Sequence, residues 1–255
     1  MKKLLLLITG LLLLFSVEGQ ILRYSNYTTP VPPTPETNDF LTNLVAYWKL
    51  DEASGTLADS QGSNDATTTT ADYDSTGISG KCMHFTLANS DFLVMTDAAA
   101  LQMYDQDFTF AAWVYLKSEG TTATYAGIIG GETNSASMTL YGSNERLIVS
   151  KVGVSNGPLS TVVTTGGWTF VAIAFDSDAT TGNVTYYENG SYSTGDYNID
   201  FNDGAGSIYI GRYSTTGYFD GKIDEVMIWK GRTLTVDNLN DLYNSGAGLF
   251  FDSFE

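Results

Sequence analysis

The sequence predicts an all-β protein: two antiparallel sheets packed as a sandwich, with one short helix near the C terminus. Three observations lead there. Short runs rich in Val, Ile, Thr and aromatic residues recur roughly every ten to fifteen residues, the spacing of sandwich strands rather than of βαβ units. Clusters of Gly, Asn and Asp separate them, as turns require. Only one stretch, from Thr235 to Tyr243, places apolar residues (Val236, Leu239, Leu242, Tyr243) at helical spacing behind an N-cap residue.

In chain order, residues 1–19 are predicted to be a secretory signal peptide. Met1-Lys2-Lys3 is basic, Leu4 to Phe15 is an apolar run, and Val17 and Gly19 offer a small-residue cleavage site. The run is well short of the ~20 residues that cross a bilayer as a helix. Export makes the mature chain secreted or extracellular, with the periplasm or the cell surface as further destinations, and without membrane insertion. Residues 20–40 are a Pro/Thr-rich spacer holding Pro30, Pro32, Pro33 and Pro35, four of the five prolines, a composition that supports neither ladder nor helix. It either holds the domain away from something or is a leader without a partner. No compositional break follows, so residues 41–255 read as one domain.

Predicted strands begin with Val45–Leu50. Lys81–Phe85 and Asp91–Met95 are expected to pair as a hairpin. Phe108–Leu116 is a long strand, followed by Ala126–Ile129, Met138–Tyr141, Leu147–Val149 and Trp168–Phe175. Val184–Glu188 runs into Asn189-Gly190, a strong hairpin signal. Ser207–Ile210 and Ile223–Lys230 complete the set. In Gly127-Ile128-Ile129-Gly130-Gly131 no phosphate-loop register is present, and a strand followed by a turn is expected. Gly246 is expected to stop the helix, and the apolar tail from Leu249 is expected to fold back onto the sandwich.

Charge and cysteine content narrow the function. The chain has 29 acidic and 12 basic residues, a net charge of −17, and losing Lys2, Lys3 and Glu18 with the signal peptide makes it −18. Such a surface excludes nucleic acid and anionic membrane as partners, because phosphates need basic groups to neutralise them. A lone cysteine, Cys82, excludes an internal disulfide, so a large core, a bound ion, or both must stabilise an exported chain. Asn26, Asn183 and Asn189 begin N-glycosylation sequons, relevant only in a eukaryotic host.

Four blocks carry a family resemblance: Val45–Thr56 with Ala58–Ala66; Phe108–Val114; Trp168–Ala172 with Val184–Gly190; and Phe219–Trp229 with Arg232–Thr235. In this order they resemble the laminin-G-like jelly-roll domains of the concanavalin A-like lectin/glucanase superfamily. The resemblance implies a jelly-roll sandwich, with Trp48, Phe110, Trp113, Trp168, Phe170, Phe175, Ile223 and Trp229 as candidate core residues. It also implies a calcium ion where the loop after the first strand meets the acid of the closing strand, with Asp59, Asn64 and Asp224 as ligands. Simple alternation puts Asp224 and Val226 on one face of that strand and Glu225 on the other.

The superfamily includes hydrolases, but glycoside hydrolysis needs two carboxylates flanking the bond, and no Glu-x-Asp-x-(x)-Glu strand occurs. Cys82 and His84, two apart on a strand, are separated by ~6.6 Å of rise and read as core or sheet-edge residues rather than as a nucleophilic pair. No catalytic residue is assigned. The expected function is recognition of an extracellular glycan or glycoprotein, the alternative a protein-binding or adhesive role in an extracellular assembly, and a glycoside hydrolase ranks behind both. Tyr125, Tyr213 and Tyr218, placed in rim loops, are the candidate ligand contacts.

Overall fold

The computed structural model describes residues 39–96, 99–117, 124–160, 162–201 and 206–254. The predicted signal peptide and the spacer up to residue 38 lie outside them, as does most of the 117–125 loop. Fifteen strands are present among the described residues. In chain order they are β1 Leu44–Trp48, β2 Thr67–Thr68, β3 Asp72–Thr76, β4 Lys81–Phe85, β5 Leu93–Met95, β6 Phe108–Leu116, β7 Tyr125–Gly131 and β8 Ala136–Tyr141. Then come β9 Arg146–Lys151, β10 Ser155–Asn156, β11 Trp168–Phe175, β12 Val184–Glu188, β13 Ser191–Gly195, β14 Ile208–Ile210, β15 Gly221–Lys230 and the helix α1 Val236–Tyr243.

They form two antiparallel sheets. One has eight strands in the order β13-β12-β11-β6-β15-β4-β3, with β1 also paired to β15; the other has seven, in the order β10-β9-β8-β7-β14-β5-β2. Period-two alternation turns Phe108, Phe110, Ala112, Val114 and Leu116 of β6 into the space between the sheets, where they meet Met138, Leu140, Leu147 and Val149 of the opposite sheet. The intervening residues of β6 face outwards, where Thr109, Ala111 and Trp113 are buried too and Tyr115 is half-buried. A second apolar layer, with Trp113, Phe170, Tyr187, Trp229, Leu239, Leu242 and Phe254, lies under α1 and the C-terminal tail. The tail does fold back, packing Phe251 and Phe254 on Tyr47 at 5.0 and 5.6 Å between ring centroids.

Several expectations need correction. β4 and β5 belong to different sheets rather than to one hairpin. Between them a 3-10 turn, Leu87–Asn89, ends on Ser90 in the left-handed region, and the buried Asp91 carboxylate accepts from Thr86 N and from the Thr70 hydroxyl. These contacts send the chain across the core instead of back along its own sheet. The glycines at 127, 130 and 131 lie within β7, with no turn among them. The helix stops at Asn244, left-handed at φ 47°, two residues before Gly246, after starting on the expected Thr235 cap reinforced by Asn238. Trp168 is half-buried, whereas the other seven candidate core residues are buried.

The closing strand shows the main departure from alternation. β15 pairs with β6 along its length, but its other edge is shared: β4 takes Gly221–Ile223 and β1 takes Val226–Trp229. At the junction the register slips, and Glu225 adopts φ 50°. This bulge lets two successive residues share a face. Val226 enters the core between the sheets, while Glu225 meets Tyr47 of the second layer. Asp224 and Val226 therefore do not share a face.

Candidate functional site

Two places gather polar groups in a way that exceeds what folding asks. The first is on the outer face of the seven-stranded sheet. The loop from Gly211 to Tyr218, between β14 and β15, lies flat on β7, held by Gly211 N to Ile128 O, Gly127 N to Gly217 O and Gly131 N to Tyr213 O at 3.0–3.1 Å. This approach requires Gly127 and Gly130, because a Cβ at either would overlap the backbone of Arg212 and Tyr213. The loop presses Tyr213 onto Tyr125, ring planes 8° apart and centroids at 4.5 Å, and Tyr141 packs on Tyr125 at a tilt, 5.1 Å between centroids.

An open cleft of about 340 Å³ results, lined by Tyr125, Gly153, Val154, Ser155, Asn156 and Tyr213. Asn156 donates its amide to the Tyr125 hydroxyl at 3.0 Å, and Gly153 N donates to the Tyr213 hydroxyl at 3.4 Å. Burial raises the Tyr213 phenol above its ordinary pKa, so it is a neutral hydroxyl there. Val154 is 56% exposed at the rim. The cleft thus combines a fixed aromatic wall, hydroxyl and amide groups and an apolar lip, with no carboxylate in its lining. A fixed aromatic face beside a few placed polar groups is what orients a ligand in a pocket.

Of the three predicted contact tyrosines, Tyr125 and Tyr213 meet here, Tyr125 as the first residue of β7 and Tyr213 largely buried rather than free in a loop. Tyr218 sits apart, its ring 6.2 Å from Phe92 and its hydroxyl donating to Thr215 O. Sequence reasoning missed Val154 and Asn156. Both depend on the two-residue edge strand β10, too short to leave a pattern.

The second place is acidic. Asp59 accepts five N–H bonds: Tyr47 N, Gln61 N and Gly62 N on Oδ1, and Asn64 N and Nδ2 on Oδ2, all at 2.9–3.1 Å. These bonds outweigh the burial that opposes its charge and lower its pKa. A carboxylate has about four lone-pair sites, so the Asp59 oxygens are fully engaged in tying the 59–64 loop to β1. Asp224, fully buried, accepts from Ile78 N, Ser79 N and Glu225 N. Glu225, equally buried, accepts from the Tyr47 hydroxyl.

Burial pushes Asp224 up to about 8, with the Glu225 and Asp51 charges adding to it, and Glu225 up to about 7. Asp51 caps the same corner through Lys81 N at 2.7 Å. A Cβ on Gly77 would overlap the Asp224 carboxylate, and one on Gly80 that of Asp51. Among the described residues no hydrogen bond links Asp59 or Asn64 to Asp224, and no three His, Cys, Asp or Glu side chains converge as a metal cluster. In chemical fit to a cation, Asp224 is apt, a buried carboxylate beside others. Asp59 is not, since its lone pairs are already used.

Cys82 and His84 show no nucleophilic arrangement. Burial and the nearby Asp224 charge push the thiol up to about 12, while His84 Nδ1 faces Asp72 at 3.7 Å.

Comparison with known proteins agrees with the architecture. Among solved structures the chain is similar to domain 4 of AbnA, a GH43 extracellular arabinanase from Geobacillus stearothermophilus, in complex with arabinotriose. The TM-score is 0.57 at 22% identity, covering 78% of this chain and 97% of that one. It is also similar to Trypanosoma rangeli sialidase in complex with sialic acid (TM-score 0.56, 14% identity, 81% of this chain and 34% of that one). A third is the botulinum neurotoxin serotype D/C VPI 5993 binding domain (0.56, 17%, 80% and 52%). The chain thus spans about a third of the sialidase and half of the toxin domain, and at these identities the likeness concerns the fold alone. No curated protein matches in sequence. The laminin-G family model described as concanavalin A-like lectin/glucanases superfamily matches residues 87–240, the stretch that builds β5 to β15 and most of α1. With two stacked antiparallel sheets, a C-terminal helix and that match over more than half its length, the chain belongs to the concanavalin A-like lectin/glucanases superfamily.

Proposed function

We propose that this chain is an exported, non-catalytic binding module that recognises carbohydrate at the Tyr125–Tyr213 cleft. The observation that carries the proposal is the stacked tyrosine pair, held rigid by the 211–218 loop and edged by the Asn156 amide. Such a wall offers an apolar ring face to a sugar's C–H groups and hydrogen-bonding groups to its hydroxyls. Binding is favoured over hydrolysis because the cleft lining contains no carboxylate, whereas glycosidases ordinarily need two. Further support comes from the arabinanase domain, of comparable length and described in complex with arabinotriose.

The test is isothermal titration of the protein against a panel of oligosaccharides and polysaccharides, with Tyr125→Ala beside it. Tyr125 is half-buried, so its loss should leave the fold intact and weaken binding about tenfold or more, the effect of removing an aromatic anchor. Equal binding by Tyr125→Ala would remove the cleft from the proposal. No binding to any glycan by the folded protein would favour the protein-binding or adhesive alternative.

The proposal includes a structural calcium ion with Asp224 as its principal ligand. What supports it is a pair of fully buried adjacent carboxylates at a bulge, where burying two charges without a counter-charge is costly. Asp59 and Asn64 would have to release their loop bonds to join the shell. When bound, the ion would neutralise this corner and stiffen the junction of β1, β4 and β15. Calcium should raise the melting temperature over chelator in the wild type, and Asp224→Asn should abolish that difference. A difference that survives the substitution sinks the site.

A further inference from the structure

The cleft is a neutral place in a strongly acidic molecule. Its lining of Tyr125, Gly153, Val154, Ser155, Asn156 and Tyr213 holds no residue of a charged type, although the chain carries 29 acidic and 12 basic residues. Three of the bases, Lys2, Lys3 and Arg23, precede the described residues; the other nine all belong to them, and none lines the cleft. Three of these nine come near it in chain or register, and each is held elsewhere. Arg146 stands across β8 from Tyr125, through the register Tyr125–Tyr141–Arg146, and donates to Ser160 O at 2.6 Å. Lys151, two residues before Gly153, sends Nζ to Asp200 O at 2.6 Å. Arg212, next to Tyr213, puts its Cζ 3.7 Å from the ring centroids of Phe92 and Tyr209 rather than in the cleft.

What the cleft does offer is a donor beside an acceptor. The Tyr125 oxygen accepts from the Asn156 amide at 3.0 Å, and among the described residues no hydrogen bond takes up the Tyr125 proton or the Asn156 carbonyl oxygen. A sugar hydroxyl both donates and accepts, so it satisfies the two together, whereas a carboxylate or sulfate only accepts. An anion placed there would face the lone pairs of the Asn156 oxygen, lose part of its hydration and gain no counter-charge. The net charge of −17 also repels a polyanion on its approach.

We propose that the cleft takes an uncharged glycan, a polymer of neutral hexoses or pentoses rather than one bearing carboxylates or sulfates. This inference rests on the carbohydrate-binding reading and adds the class of ligand to it.

The test titrates the whole mature chain, at low and at high salt, with oligogalacturonate, oligoglucuronate and oligomannuronate, each beside the neutral oligosaccharide made by reducing its carboxylates to hydroxymethyl groups. Arabinan and xylan oligosaccharides, and dextran beside dextran sulfate, complete the panel. The tightest member should be uncharged, and any acid that binds should do so roughly tenfold or more weakly than its reduced counterpart, the worth of a modest desolvation without a counter-charge. That order should hold at high salt, where the field of the whole chain is screened. Val154→Lys puts a base on the exposed rim and should strengthen binding of the acids several-fold, narrowing the gap. Melting curves of this variant and of Tyr125→Ala check that both remain folded. An acid that matches or outbinds its reduced counterpart overturns the inference and leaves the carbohydrate-binding reading standing. An order that vanishes at high salt, or a gap unchanged by Val154→Lys, does the same, because either places the preference outside the cleft lining. A folded protein that binds no member of the panel, or whose binding survives Tyr125→Ala unchanged, overturns both the inference and the cleft.

Discussion

At the scale of single residues, the same side chain does different work according to how many donors reach it. Asp59 and Asp224 both belong to acidic segments flanked by the family's strand patterns, and the family resemblance implies both as ligands of one ion. Five N–H groups converge on Asp59 and hold it ionised, whereas Asp224 and Glu225 are carried by a bulge into a corner with too few donors for two charges. The pH dependence follows from the direction of those shifts. Both acids bind protons more tightly in the folded than in the unfolded chain, so their contribution to stability is greatest below the unfolded carboxylate range. It is lost as pH rises through the folded values, about 7 and about 8. In chelator, urea unfolding should show the protein less stable at about pH 8.5 than at about pH 5, by on the order of 6 kcal/mol from this pair. Glu225→Gln with Asp224→Asn should flatten that slope. A slope unchanged by the double substitution would show that the corner does not carry it.

At the scale of elements, the cleft is a loop laid on a strand, and two glycines admit it. The run Ala126–Ile129 was legible as strand, but neither its continuation through Gly130 and Gly131 nor the reason for the glycines was, because a missing Cβ has meaning only against the backbone that fills its place. Gly130→Ala should therefore displace the 211–218 loop, cost about 2–4 kcal/mol in stability as an overpacked site does, and weaken glycan binding although residue 130 lines no part of the cleft. Denaturant unfolding with glycan titration of the same variant measures both, and an unchanged affinity would detach the loop from the site. Local signals worked where the decisive contact was local. The Thr235 cap and the Asn189-Gly190 hairpin are decided within a few residues, and both formed as expected. The expected pairing of β4 with β5 failed because Asp91 and the turn before it redirect the chain, and period-two patterning does not say which sheet a strand joins.

At the scale of the whole molecule, the eight-stranded sheet is apolar on both faces, and the second face is covered by α1 and the tail rather than by another sheet. Stability should therefore depend on the last residues of the chain. Phe254→Ala, which removes a ring buried against Phe40 and Tyr47, should cost about 3–4 kcal/mol in denaturant unfolding, whereas a loss below about 1 kcal/mol would mean that the tail merely rests on the sheet. The sequence by itself determined the class of fold, most strand positions, the helix and its cap, and the family. These follow from periodicity and turn chemistry, which act over a few residues. It also singled out Tyr125 and Tyr213, although not their contact. Tertiary structure alone decided which carboxylate has spare lone pairs, which face Asp224 and Glu225 share, and that Tyr125, Asn156 and Tyr213 border one cleft. The cleft depends on residues 31 to 88 positions apart and the Asp224–Glu225 corner on residues 145 to 178 apart meeting through strand order and register, and no local pattern encodes a meeting at that range.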